Sequence, residues 1–165
     1  MRLPVNPPAL GVGGVVVALG VAGVLWMQRG AHVELKGAIL KVRTQAMDES
    51  SAVAVIDFRF VNPSDYPFVV RHVLVSAEDK DGKPLEGMVV SASDATRLFQ
   101  YYPLLGQQFN ETLITRTKIA ARQSMDRMIA ARFEVSEAAL QSRRKLTVRI
   151  EDVDGPVSEL VERRP

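Results

Sequence analysis

The chain has 165 residues, which suffices for one domain and an anchoring segment. Its 21 basic residues nearly balance its 19 acidic ones, which argues against a nucleic-acid binder with a concentrated basic face. There is no cysteine, so disulfides, thiolate catalysis and cysteine-based zinc sites are excluded.

Residues 3–27 form a stretch without a charged side chain. No proline interrupts residues 9–28, and twenty helical residues span about 30 Å, the thickness of the hydrocarbon core of a bilayer. The sequence therefore predicts a short tail (1–8), one transmembrane helix (9–28) and a linker (29–32). A buried core helix is the alternative, but core helices of this length usually keep a polar face.

The same segment begins like a signal sequence, because Met1-Arg2 provides a charged start. Its apolar run exceeds the about 7–15 residues of a cleaved signal peptide, which favours an uncleaved, single-pass signal anchor over cleavage. Such an anchor exports the domain behind it, whereas the basic residues Arg29, Lys36 and Lys41 favour the opposite orientation. We expect an extracytoplasmic C-terminal domain, since Lys36 and Lys41 belong to a predicted strand.

Small residues recur every four positions on one face of the predicted membrane helix, at Gly14, Ala18 and Ala22. This spacing allows two membrane helices to approach closely. The pattern predicts a helix-packing face and a homo-oligomer through it, although glycine and alanine are also common in membrane helices that do not pair.

The remaining chain shows the alternation of β-strands. Residues 52–60 place apolar side chains on one face and Asp57 on the other, which predicts a half-buried strand. Between residues 33 and 42 the alternation slips at Ile39-Leu40, which predicts a bulge or a strand that moves between sheets. Further strands are predicted over residues 68–77, 85–90, 113–119, 125–135, 145–153 and 157–162.

Two segments change to helical spacing. Ser93 is a candidate N-cap, apolar residues recur at spacings of three and four up to Tyr102, and Pro103 ends the helix. A single capped helical turn is predicted over residues 136–140.

Turn signals about every ten residues leave no room for crossover helices between parallel strands. The chain is therefore predicted to be mainly β. We expect an antiparallel sandwich or barrel of about seven or eight strands over residues 33–162, with one short helical insertion (residues 93–109) and a C-terminal tail (163–165).

The strand–turn–strand of residues 58–68 (FRFVNPSDYPF) resembles that of late embryogenesis abundant type 2 (WHy) domains. Small membrane-anchored FxLYD-type bacterial domains look similar. The resemblance rests on the turn Asn62-Pro63, and it implies an immunoglobulin-like sandwich that acts as a binding or structural module. It implies no catalytic residue, and the insertion departs from a minimal sandwich.

Few residues suggest chemistry. His72 shares the parity of Phe68 and Val70, so we expect it to face inward as a core or rim residue rather than as a ligand. The pattern Glu-Asp-x-Asp-Gly occurs at residues 78–82 and 151–155, where it indicates tight turns. A calcium site is the alternative, and it requires the two turns to meet at one end of the sandwich.

Two other short motifs have surface interpretations. The basic run 143–145 indicates a solvated surface, or a contact with anionic headgroups if the domain lies near a membrane. Asn110-Glu111-Thr112 fits the acceptor pattern for N-glycosylation.

No catalytic constellation, cofactor motif or metal-ligand spacing is present, so we expect neither an enzyme nor a cofactor or metal. The leading hypothesis is a membrane-tethered β-sandwich that contacts the lipid bilayer and binds a protein partner or supports a cell-envelope assembly. The alternative is a lipid or small-amphiphile binding domain, with the insertion as a lid over the sandwich interior. The predicted partner or lid surface consists of aromatic residues, which are enriched in binding hot spots: Phe99, Tyr101, Tyr102 and Phe109.

Overall fold

The computed structural model describes residues 19–21 and 34–162. The chain divides into two compact units, residues 1–32 and residues 33–165. Among the described residues, no helix is both long and apolar enough to cross a membrane. Residues 19–21 are helical, and the rest of the predicted membrane helix, with Gly14, Ala18 and Ala22, lies outside the described residues.

Eight strands and two short helices make up the second unit. In chain order they are β1 (Lys36–Ala46), β2 (Ala52–Val61), β3 (Phe68–Glu78), β4 (Pro84–Val89), α1 (Ala92–Tyr101), a 3₁₀ turn (Pro103–Leu105), β5 (Lys118–Ile119), β6 (Ser124–Phe133), α2 (Glu137–Gln141), β7 (Lys145–Asp152) and β8 (Val157–Val161).

The strands form an antiparallel sandwich in the order β1-β2-β6-β4-β3-β7-β8, with β5 paired to β3. One layer is β1-β2-β6 and the other is β3-β7-β8. β4 joins them, because its first part pairs with β3 while Met88 and Val89 pair with β6. The predicted mainly β, antiparallel fold with one helical insertion is confirmed.

The main core lies between the two layers. Side chains from both layers are fully or almost fully buried there, and burying each large apolar side chain stabilises the fold by about 1.5–3 kcal/mol. Its largest members are Ile56, Phe58, Phe60, Phe68, Ile119, Ile129, Phe133, Leu140, Leu146 and Ile150.

β2 is buried on both faces, so the prediction of a half-buried strand was wrong. The face with Phe58 and Phe60 packs into the main core, as its alternation predicted. The opposite face carries Val53 and Val55, which belong to a second apolar cluster that a helical segment covers. Asp57 lies on that second face and is also buried.

Bulges decide which residues of two strands face the core. The pairing of β1 with β2 shifts between Ile39 and Lys41, which confirms the predicted slip. The pairing of β3 with β7 shifts between Val70 and His72. The second bulge reverses the parity of β3, so His72 is exposed and its predicted inward orientation was wrong.

Asn62 is fully buried at the end of the β2 region and organises the turn to β3. Its amide nitrogen donates to the carbonyl oxygens of Tyr66 (2.7 Å), Ile119 (3.3 Å) and Ala120 (3.2 Å). Its amide oxygen accepts from the backbone nitrogen (3.0 Å) and Oγ (2.8 Å) of Ser64. The turn is where the Asn-Pro chemistry predicts it, and the buried amide also ties it to β5.

The predicted strand over residues 113–119 was wrong over most of its length. Only Lys118–Ile119 pairs, with β3, and Thr112 makes a single parallel bridge to Met128. Arg116 has a φ of 65°, in the left-handed region, which interrupts an extended chain.

Asp48 closes the turn between β1 and β2. Its carboxylate accepts hydrogen bonds from Ser51 Oγ (2.6 Å), Ser50 N (2.8 Å) and Ser50 Oγ (3.0 Å). These bonds, with that from Ser51 the largest cause, lower the pKa of Asp48 from 3.8 to about 2.

The pKa of Asp48 predicts a pH dependence of stability. Because the folded pKa lies below the unfolded one, the contribution of Asp48 is present above the unfolded value of 3.8 and is lost as pH falls toward 2. Ser51→Ala is expected to move the Asp48 midpoint upward, toward 3.8, in a carboxyl carbon NMR titration. An unchanged midpoint would show that the Ser51 bond does not hold the carboxylate in solution.

Candidate partner-binding surface

α1 begins at Ser91, two residues before the predicted cap. Ser91 Oγ accepts a hydrogen bond from Asp94 N, and Ser91 donates to the Asp94 carboxylate at 2.7 Å. The helix buries Ala95 and Leu98 on one face, as the spacing of its apolar residues predicts. Pro103 then starts a 3₁₀ turn, so the helix stops where the sequence indicated.

The insertion packs on the outer face of β2 and β6. Ala95, Leu98 and Leu105 of the insertion join strand residues in a second apolar cluster, separate from the main core. The strand members of this cluster are Val53, Val55, Met128 and Ala130. The insertion therefore covers the outside of a sheet, and not the interior of the sandwich where the amphiphile hypothesis placed it as a lid.

Arg43 on β1 braces the far end of the insertion. Its guanidinium donates to the carbonyl oxygens of Leu105 (2.5 Å) and Gln107 (2.7 Å). The guanidinium carbon also lies 5.3 Å from the ring centre of Phe99 and 5.0 Å from that of Phe109. One cation thus holds backbone and aromatic rings of the same segment, through hydrogen bonds and cation–π contacts.

Asp57 neutralises Arg43 beneath the insertion. The pair is joined at 2.8 Å, and the two side chains are only 10% and 5% exposed, respectively. The other carboxylate oxygen of Asp57 accepts from Asn110 Nδ2 at 2.9 Å. Asn110, the glycosylation candidate, is thus engaged through its amide in a partly buried network, and a glycan on that nitrogen would disrupt it.

Three large apolar side chains of the insertion remain exposed. Tyr101 is 76% exposed, Leu104 86% and Phe109 64%. We call these three residues the exposed tip set. Phe99 and Tyr102 are partly buried against the second cluster, so the four predicted aromatic residues divide into two supporting and two exposed ones.

The sequence did not single out the bracing residues. Asp57 was predicted to face solvent because it alternates with apolar residues, and Arg43 was not distinguished from other basic residues near it. One signal was present: acidic and basic residues stand on the same face of two neighbouring strands, where Lys41 pairs with Asp57 and Arg43 with Val55.

The two carboxylate turns do not meet. Glu78 pairs with Lys145 at one end of the β3–β7 ladder, and Asp152 pairs with Val70 at the other. Gly82 has a φ of 83° and Gly155 a φ of 102°, so both motifs serve as tight turns. The geometry that a shared calcium site requires is absent from this part of the chain.

The basic run 143–145 is not a uniformly solvated patch. Arg143 is buried and donates two hydrogen bonds to Glu162, at 2.9 and 2.6 Å. It also donates to the carbonyl oxygen of Leu140 at 2.9 Å. Arg143 therefore closes the end of the sandwich, and its guanidinium is a buried, paired group and not a solvated surface charge.

An open cleft of about 310 Å³ lies beside the first residues of α1. Its lining is mostly apolar, with His72 and hydroxyl side chains among the polar members. Apolar lining residues include Val73, Val90, Ile114 and Ile129. The volume lies at the lower end of the range of small-molecule sites, about 300–1,000 Å³.

Comparison with known proteins identifies no family. No family model matches the chain. No curated protein matches it.

Two solved structures match the chain at low similarity. An uncharacterised β-sandwich protein from Clostridium difficile 630 has 7% identity and a TM-score of 0.41, over 79% of this chain and 86% of that one. The Iho670 flagellar-like filament has 12% identity and a TM-score of 0.34, over 95% of this chain and 98% of that one. Likenesses this distant establish neither a family nor a function for this chain.

Proposed function

We propose that the chain is a membrane-tethered, non-enzymatic, immunoglobulin-like β-sandwich that binds a protein partner through the exposed tip set. One observation carries the proposal. The insertion exposes Tyr101, Leu104 and Phe109 while the buried pair of Arg43 and Asp57 holds it against the sheet. The finer immunoglobulin-like and WHy or FxLYD assignments are part of the proposal, and their support is the Asn62-Pro63 turn.

Exposed apolar side chains concentrated on one short segment favour an interaction surface over a solvated one. Tyrosine and phenylalanine supply large contact areas and are frequent at interfaces. The bracing of the segment by Arg43 and Asp57 also favours binding of a partner. A segment that is already ordered loses less conformational entropy when a partner binds, so more of the contact energy appears as affinity.

The tether is proposed from residues 3–27, whose 25 positions carry no charge. With the short linker 29–32, it keeps the sandwich near the bilayer, on the extracytoplasmic side in our proposal. There the domain supports a cell-envelope assembly. Pairing of two chains through Gly14, Ala18 and Ala22 is part of the same proposal.

Binding of a small amphiphile is the second candidate function. Its support is the 310 Å³ cleft, whose lining is mainly apolar. It is the weaker candidate, because the cleft is open and the insertion does not cover the space between the sheets as a lid would.

Site-specific photo-crosslinking in native membranes tests the leading proposal. A benzoylphenylalanine is placed at Leu104, or at Tyr66 as an exposed control in the β2–β3 turn. Membranes are irradiated first and then washed with alkaline carbonate, so that a peripheral partner is present during crosslinking and only a tethered chain is retained afterwards. We expect a discrete protein adduct from position 104 and none from position 66.

The double variant Tyr101→Ser/Phe109→Ser is expected to abolish the adduct while lowering the melting temperature by only a few degrees. Both side chains are exposed, and the loss of the cation–π contact between Phe109 and Arg43 costs about 0.5–1 kcal/mol. Release of the chain by carbonate contradicts the tether. Equal adducts from both positions, or none from position 104, contradict the tip as a partner surface. The absence of any protein adduct favours the amphiphile candidate.

A further inference from the structure

A cleft of about 610 Å³ opens on the opposite side of β4 from β3. It exists because β4 changes partners. Met88 pairs with Arg132 and Val89 with Ala131 of β6, and then the two strands diverge as residues 84–87 pair with β3. All lining residues belong to the two diverging segments, residues 83–88 and 132–135.

One wall of this cleft is the edge of β4 over residues 84–87, and the other follows the end of β6 into the bend at residues 134–135. In the described part of the chain, no register position joins residues 84–87 to β6, and the β2–β6 ladder ends at Phe133. Antiparallel strands direct alternate backbone groups to each side, so part of the donors and acceptors of residues 84–87 point into the cleft. Gly87 contributes only backbone to the lining, and a Cβ atom at this position would lie 2.8 Å from the ring of Phe133 in the main core.

Arg132 is the unusual charge in this cleft. Four arginines of the described chain are not exposed, and three of them have a carboxylate partner: Arg43, Arg127 and Arg143. Arg132 has no carboxylate within 4.0 Å, and its Nε is buried without a hydrogen-bond partner among the described residues. A partly buried guanidinium without a counter-charge costs stability, and an acidic ligand group would offset that cost.

The other charged residues of the cleft restrict the type of ligand that can bind next to Arg132. Lys83, Glu86 and Glu134 also line the cleft, and within the described residues none of them forms an ion pair. The two glutamates disfavour a free, multiply charged anion. An extended peptide fits better, since it presents backbone groups to the open edges and a single carboxylate to Arg132.

We propose that the β4–β6 cleft is a strand-addition site for an extended segment of a partner polypeptide, with an acidic side chain of that segment bound by Arg132. Backbone hydrogen bonds to the β4 edge supply the affinity, and Arg132 supplies the specificity, as in other strand-addition complexes. The site shares no residue with the exposed tip set and does not depend on the function proposed for it.

NMR titration of the full, ¹⁵N-labelled chain in detergent micelles tests this proposal. The probe is the peptide acetyl-Ser-Val-Glu-Val-Thr-Ser-amide, and the matched peptide has Lys in place of Glu. We expect saturable shifts of the amides of residues 85–87 and 133–135 and of the Arg132 Nε–H resonance, since Pro84 has no amide proton. The Glu peptide should bind about tenfold more tightly than the Lys peptide, the effect of one charge-assisted contact.

Two variants complete the test. Arg132→Gln is expected to weaken binding of the Glu peptide about tenfold. It is not expected to weaken binding of the Lys peptide, because the guanidinium that it removes repels a lysine side chain. Arg144→Gln removes an exposed arginine outside the cleft and is expected to change neither. Equal affinities of the two peptides for the unaltered chain, or no shift of these resonances with millimolar Glu peptide, overturn the proposal. It is also overturned if propionate alone reproduces the Arg132 shift while the Glu peptide moves no amide of residues 85–87, since the cleft is then a small-carboxylate site.

Discussion

Replacing Asp57 by alanine is expected to lower the free energy of unfolding by about 3–5 kcal/mol, the usual cost of removing one partner of a buried ion pair and leaving the other charge unpaired. The guanidinium of Arg43 would remain under the insertion without its carboxylate. Asn110 would also lose its acceptor. For a domain of this size the loss lowers the melting temperature by roughly 10–20 °C. Urea unfolding at pH 7 measures the change.

Asp126→Ala is the matched control, because it removes an aspartate that pairs with an exposed arginine on the same strand system. Arg59 donates two hydrogen bonds to Asp126 and holds the pKa of that carboxyl below its usual value. Both groups are exposed, so solvent screens the pair and a much smaller loss is expected. Equal losses for the two variants would contradict the bracing role of Asp57. The crosslink from position 104 should weaken only in Asp57→Ala.

Asn62→Ala is expected to destabilise the protein by about 2–4 kcal/mol, although it removes only a small side chain. Three carbonyl oxygens lose the donor that the Asn62 amide provides, and Ser64 loses its acceptor. Because Asn62 is fully buried, water replaces these bonds poorly. Equilibrium unfolding of the variant measures the loss.

Two further variants test whether the loss of stability in Asn62→Ala comes from the lost hydrogen bonds. Ser64→Ala changes a less buried member of the same turn, so a loss below about 1 kcal/mol is expected. Asn62→Asp keeps the size but places an acceptor against three carbonyl oxygens, so it should be at least as harmful as Asn62→Ala at pH 7. Its loss should shrink as pH falls toward 4, because a protonated carboxyl donates again. A pH-independent loss would count against this network.

Local features were predictable where backbone conformation or solvent exposure depends only on a few neighbouring residues. The slip at Ile39-Leu40, the Asn-Pro turn and the end of α1 at Pro103 all follow from short patterns. The core face of β2 also follows from its alternation, since burial on one side repeats every second residue.

The candidate surface was located correctly as a segment, but its organisation was not predictable. The aromatic residues of the insertion are visible in the sequence. No local pattern, however, predicts that Phe99 packs against the sheet while Phe109 is exposed. Phe99 is partly buried because it packs against the second apolar cluster, whose strand members lie far from it in the chain. Contacts between distant segments carry no periodic signal, so only the assembled sheet reveals them.

Sequence patterns alone were enough to show a charge-free N-terminal stretch followed by a mainly β domain, because local burial sets hydrophobic runs and alternation. Packing between elements was needed to show that β2 is buried on both faces, as at Val53 and Val55, and that some charged side chains are buried or partly buried, as at Asp57 and Arg132. Packing of the insertion and the change of partners along β4 create those environments. Both are contacts between elements, and a residue's own neighbours in the chain do not determine them.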